Sequence, residues 1–161
     1  GAMAKIMGMG MQKPDAVRFV SRGDNSGTHS REQDFWEDQG HDYEMVRNSG
    51  PWYIESGSGM GTTLVIADQK SAYTLAPDST YLAFGATLDL VILAGEETPI
   101  INPYSAIIID PNRYPHINET SATHLIEFLY STEVQKIIDA YGVDLYGEPI
   151  FRSFMAHQNL K

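Results

Sequence analysis

Two stretches of this chain share one pattern: a short β-favouring run, a loop rich in glycine and serine, then a segment of helical composition. In the first, the run at 17–20 leads into Ser21, Arg22, Gly23, Asp24, Asn25, Ser26, Gly27 and Thr28, and 30–39 then offers Phe35 and Trp36 for packing. In the second, Trp52, Tyr53, Ile54 and Glu55 run into Ser56, Gly57, Ser58, Gly59, Met60 and Gly61, and 62–68 has the character of a helix. A strand that exits through a tight loop into a helix must fold that helix back over the sheet, so the pattern selects an α/β layered domain with a mixed sheet flanked by helices. Ser26, Thr28 and Ser30 are each candidate N-caps, and Glu32 and Asp34 fall in early turns where a helix dipole favours acids.

Further along, 71–75 is expected as a strand, 77–84 as a helix opened by Pro77, and 88–93 as another β-rich segment. After a turn at 96–102, the nearly continuous apolar run 104–109 suits a central strand covered on both faces, and Pro111 ends it. Ala122, Leu125, Ile126 and Leu129 predict a helix over 119–130. A second helix restarts at Ser131 and runs through Ile137, Ile138 and Tyr141 to Gly142. One globular domain is expected over 4–152. Residues 1–3 resemble a cleavage scar from an expression vector and are set aside, and the polar tail 153–161 is expected to fray. No apolar run approaches the roughly 20 residues of a bilayer span.

The loop at 21–28 has the chemistry to receive an oxyanion. A tetrahedral dianion needs convergent donors and a compensating cation, and a glycine- and serine-rich loop entering a helix N-terminus supplies the donors. Arg22 can present a forked guanidinium, Ser21, Ser26 and Thr28 carry hydroxyls, and Gly23 and Gly27 let neighbouring N–H groups approach. Asp24 could orient Arg22, cap the helix, or accept a proton from a protonated oxyanion, and the last role would favour hydrogen phosphate. The same loop could equally be a surface turn and helix cap. Formal charge −10 argues against nucleic acid and anionic membrane as partners, because both require basic surface, but backbone dipoles and one guanidinium act locally. With no cysteine, disulfides, thiolate metal sites and a cysteine nucleophile are excluded.

The run from Ser21 through Thr28 and His29, followed by Glu32 and Trp36, is similar to the signature of tungstate-binding proteins of ABC uptake systems. A shorter Arg-Asp-Ser-Gly-Thr pattern recurs in phosphate-binding proteins. Other matches follow in order: Trp52 and Tyr53, residues 56–64, Ala72 to Leu75, residues 80–84, residues 102–104, and Tyr141-Gly142 with Tyr146-Gly147. The resemblance covers about 19–151. It implies a periplasmic-binding-protein-like (type II) fold, in which two α/β lobes close on the anion, and it places this chain as the second lobe with the first lobe missing or supplied elsewhere. It further implies that the ligand is tungstate or molybdate without a cofactor. An ABC permease is the implied partner, and the implied location is periplasmic or extracellular, at the membrane through the permease. Met60, Gly61 and Thr62, at the second helix start, are the next anion contacts it suggests. The exposed face of a missing lobe would favour self-association.

Three alternatives stand beside this. The loop could serve a phosphate-type binder or an oxyanion-sensing domain. A serine hydrolase would use Ser21 or Ser26 with His29 as base, but the Gly-x-Ser-x-Gly elbow is absent at those serines and His29 lies close in sequence. No metal site is expected, since His29, His41, His116, His124 and His157 lack ligand spacing and suit surface or capping positions. Trp36, Trp52 and Tyr53 are expected in packing, Asp34 and Asp38 on an exposed helix face, and Glu96 and Glu97 in a solvated turn.

Overall fold

The structure is a computed structural model that describes residues 1–94 and 102–154. The chain divides into two units, Gly1–Ile100 and Ile101–Lys161. The first unit is built on three strands, β1 (Phe19–Ser21), β2 (Tyr53–Glu55) and β3 (Tyr73–Thr74), in the order β2-β1-β3. Both described ladders are parallel, with Phe19 opposite Tyr53 on one side and Tyr73 on the other.

Helices α1 (Ala2–Gln12), α2 (Gly27–Asp38), α3 (Tyr43–Arg47), α4 (Met60–Gln69) and α5 (Asp78–Phe84) complete the unit, with a short 3-10 turn at Gly85–Thr87. The chain moves from central β1 out to β2, then back across to β3. With right-handed crossovers, this reversal puts α2 and α4 on opposite faces.

Alternation along β1 follows from that arrangement. Phe19 joins Trp36, Tyr43, Val46, Trp52 and Tyr53 on one face, and Val20 joins Ala67 and Ala72 on the other. The first cluster is an aromatic stack. The Phe19 ring lies parallel to Tyr53 at 5.8 Å and edge-on to Trp36 at 5.5 Å. Helix α1 closes it, with Met3, Ile6 and Met7 packed against it and Gly10 under the Trp52 ring. Thus Ala2 and Met3, set aside on sequence grounds, lie within a helix that covers the core.

The second unit contains α6 (Glu119–Tyr130), α7 (Thr132–Ala140) and α8 (Val143–Tyr146). Ser131 ends α6 and caps α7, its hydroxyl accepting from the Val134 N–H. Helix α7 ends just ahead of Gly142, as expected; Gly142 turns the chain at φ 97°, where an added Cβ would lie 3.0 Å from Ile150, and α8 follows.

Three sequence expectations are corrected. Segment 88–93 has no ladder, and neither does 104–109, where Tyr104 and Ile107 are 79% and 85% exposed. Apolar, β-branched composition makes a segment competent for a ladder, but only a neighbouring strand makes it one, and no described strand lies beside either. The start of the tail is anchored, not frayed: buried Ser153 donates its N–H to Asp139 Oδ1 at 2.6 Å, and Phe154 N–H donates to Gln135 Oε1. Glu96, Glu97, most of the turn at 96–102 and His157 lie outside the described residues.

Candidate functional site

Parallel pairing of β1 and β2 sets Ser21 opposite Glu55, so the loops that leave the two strands emerge side by side at the carboxyl edge of the sheet. Ser56 staples them. Its N–H donates to the Ser21 carbonyl at 2.9 Å and its hydroxyl to the Arg22 carbonyl at 3.2 Å. That hydroxyl also lies 2.7 Å from the Thr63 hydroxyl, in the first turn of α4. The Arg22 loop is thereby tied to the start of the second helix.

The first loop is shaped by two left-handed residues, Gly23 at φ 61° and Asn25 at φ 56°. Glycine is required at 23 twice over, because an added Cβ would also meet the Glu55 Cβ at 2.7 Å. Ser26 is the N-cap of α2, its hydroxyl accepting from the His29 N–H, which leaves the N–H groups of Gly27 and Thr28 without an intrahelical acceptor. Arg22 Nη2 donates to Asp24 Oδ2, and Asp24 Oδ1 accepts from the Ser26 N–H at 3.1 Å. Burial raises the Asp24 pKa, but hydrogen bonds from Ser26 and Arg22 outweigh it and hold the carboxyl below the usual range. Asp24 is therefore an ionised acceptor that orients the guanidinium.

Arg22 Nε is buried and has no hydrogen-bond partner among the described residues. Leaving such a donor unmet costs about 1–3 kcal/mol, more when the group is charged, so an acceptor arriving there would gain disproportionately. With one Nη held by Asp24, Nε is free for an incoming oxygen.

The proposed contacts do not form one hollow. Met60, Gly61 and Thr62 line an open depression with Gly59, Val65 and Phe84, and none of residues 21–28 lines it. Met60 is buried, Thr62 is exposed, and the Phe84 ring sits over Gly61 so closely that an added Cβ would lie 2.6 Å from it. Ser21 is buried as well, with its hydroxyl accepting from the Gly23 N–H at 3.2 Å and bonded to Glu32.

Behind the loop lies a polar network that local spacing did not reveal. Glu32, 2% exposed, accepts from Trp36 Nε1 at 3.1 Å and the Tyr53 hydroxyl at 2.6 Å. Burial raises its pKa against these donors and Ser21. Burial also pushes the Tyr43 hydroxyl up to about 12 and raises Tyr53 further. Tyr43 donates to Glu55 Oε1 at 2.8 Å, and Arg47 Nη2 holds the other Glu55 oxygen at 2.8 Å. His29 is 3% exposed, not at the surface, and its ring nitrogens face the Asn25 N–H and the Tyr43 hydroxyl instead of a serine. The tyrosine links in this network span 10 to 21 residues, beyond any helix or strand period.

The description PBP superfamily domain matches residues 5–133. The chain belongs to the PBP superfamily. Among its superfamily relatives, the tungstate-binding protein TupA of Peptoclostridium acidaminophilum is 37% identical over 151 residues, which are 94% of this chain and 49% of that protein. A solved tungstate-binding protein TupA from Desulfovibrio alaskensis superposes with a TM-score of 0.67 at 30% identity, over 92% of this chain and 59% of that one. The tungstate ABC transporter structure from Geobacter sulfurreducens gives 0.64 at 38% identity, over 85% and 56%. The chain thus spans about half the length, or less, of the curated relatives it matches. No helix among the described residues is long and apolar enough to cross a membrane.

Proposed function

We propose that this chain is one lobe of a solute-binding protein that captures tungstate or molybdate outside the cytoplasmic membrane and presents it to an ABC permease, without catalysis. The observation that carries this is the buried, unpartnered Arg22 Nε in the loop that leads into α2, whose first turn offers the free N–H groups of Gly27 and Thr28. The tungstate-binding names of the relatives supply the ligand class. Arg22 would neutralise and orient the anion, Thr28 would donate its hydroxyl, and Gly23 and Gly27 would expose backbone N–H groups. Gly61 and Thr62 would join once Phe84 moves aside. The inward hydroxyl of Ser21 and the capping hydroxyl of Ser26 fit support of the loop better than direct contact.

Asp24 bears on the choice of anion. Its oxygens already accept from Arg22 and Ser26, so it suits an orienting role over taking the proton of hydrogen phosphate, and a fully deprotonated oxyanion with four acceptor oxygens fits better. Titration with tungstate, molybdate, sulfate and phosphate in parallel tests this. Tungstate and molybdate should bind comparably, and phosphate at least about tenfold more weakly, the effect of one mismatched hydrogen bond. Phosphate binding as tight as tungstate would overturn the assignment.

A further inference from the structure

His29 lies beneath the anion loop and bonds on both ring nitrogens. Nδ1 accepts from the Asn25 N–H at 2.9 Å, so Nδ1 carries no proton. The proton must then sit on Nε2, which is 2.6 Å from the Tyr43 hydroxyl. The Tyr43 hydroxyl donates in turn to Glu55 Oε1, and Arg47 fixes Glu55 from the far side. The Gln33 amide nitrogen lies 3.3 Å from the same nitrogen, whose one hydrogen is directed at the closer Tyr43 hydroxyl. The imidazole therefore has one tautomer and one orientation, anchored to β2 through Glu55.

What it holds is the peptide plane between Asp24 and Asn25. Asn25 is left-handed, a conformation uncommon outside glycine that asparagine adopts more readily than most residues, and the bond to His29 holds it there. On one side of that plane Asp24 clamps Arg22; on the other, Ser26 caps α2. We propose that His29 is a positioning residue of the anion loop, its Nδ1 fixing the Asn25 N–H so that Asp24 holds Arg22 with Nε free for the ligand. This rests on the oxyanion assignment made above. Without the acceptor, the Asn25 N–H loses its partner, the peptide plane is free to turn, and the Arg22 clamp turns with it.

Two substitutions separate the two ring nitrogens. His29→Asn places an amide oxygen close to the Nδ1 position and keeps an acceptor for Asn25; His29→Gln places an amide nitrogen close to Nε2 and keeps only the link to Tyr43. Both remove the ring, so a merely structural role would penalise them alike. The measurement is sodium tungstate titration of the nitrogen-15-labelled chain by NMR, with Arg22→Ala alongside and long-range correlations reading the imidazole tautomer. The expected result is an Nε2–H tautomer in the unsubstituted chain, with His29→Asn binding within about threefold of it. His29→Gln should bind about tenfold or more weakly and shift the Asn25 amide, as the loss of one buried acceptor requires. Equal losses in both His29 variants, or none in either, while Arg22→Ala abolishes binding, would overturn this inference alone. Tungstate shifts unaffected by Arg22→Ala would overturn the oxyanion assignment and this inference with it.

Discussion

Glu32 illustrates how a single buried carboxyl can sit behind the proposed anion site. Its charged form is disfavoured by burial, and the hydrogen bonds from Tyr53, Ser21 and Trp36 offset that only in part, so its pKa lies above the ordinary 4.5. A carboxyl raised on folding contributes fully below its ordinary pKa and loses that contribution as pH rises through the raised value. Glutamine keeps the shape and cannot ionise. Melting temperatures of Glu32→Gln and the unsubstituted chain should therefore diverge in favour of the variant as pH rises from about 4.5 to 8, and a difference independent of pH would contradict this. The sequence showed Glu32 as an early-turn acid and His29 as a capping or surface histidine. Both sit in the core because Tyr43 and Tyr53 arrive from other elements to bond them, and no short-range period carries that information.

At the scale of elements, what was legible depended on whether the signal was local. The strand, loop and helix units around 19–38 and 53–69 announced themselves because turn glycines, capping serines and apolar spacing all lie within a few residues. Segments 88–93 and 104–109 carried the same β-favouring composition, yet a ladder depends on a partner strand that local sequence does not name. Helix α1 was missed for a different reason: its leading residues were set aside, and its methionines and glycines give little polar contrast. Those glycines make a paired test. Alanine gains about 1 kcal/mol over glycine inside a helix, and at Gly8, where nothing lies within 4 Å of the added Cβ, that gain should appear as a raised melting temperature. At Gly10 the same Cβ would lie 2.6 Å from the buried Trp52 ring, and displacing a packed indole costs about 1–3 kcal/mol. Gly10→Ala should therefore melt lower than the unsubstituted chain and Gly8→Ala higher. Equal shifts would mean that α1 does not pack on Trp52.

For the whole molecule, the proposal of a single lobe has an energetic consequence. Half of the donors leaves half of the anion in water, where higher dielectric and salt weaken the Arg22 interaction, so this chain should bind tungstate only in the high micromolar range, about −5 kcal/mol. The apolar side chains exposed on the second unit, among them Phe128, Ile137 and Leu145, give such a lobe reason to self-associate, which light scattering would register as a dimer or larger. At the centre of the proposed site, Arg22 would be the cation of an oxyanion cradle. Titration of tungstate into the chain and into Arg22→Ala tests it most directly. Charge-assisted hydrogen bonds contribute about 1.5–3 kcal/mol each, so losing a bidentate contact should weaken binding about a hundredfold, with Arg22→Lys recovering only part. Tungstate affinity unchanged in Arg22→Ala would contradict the account at its centre.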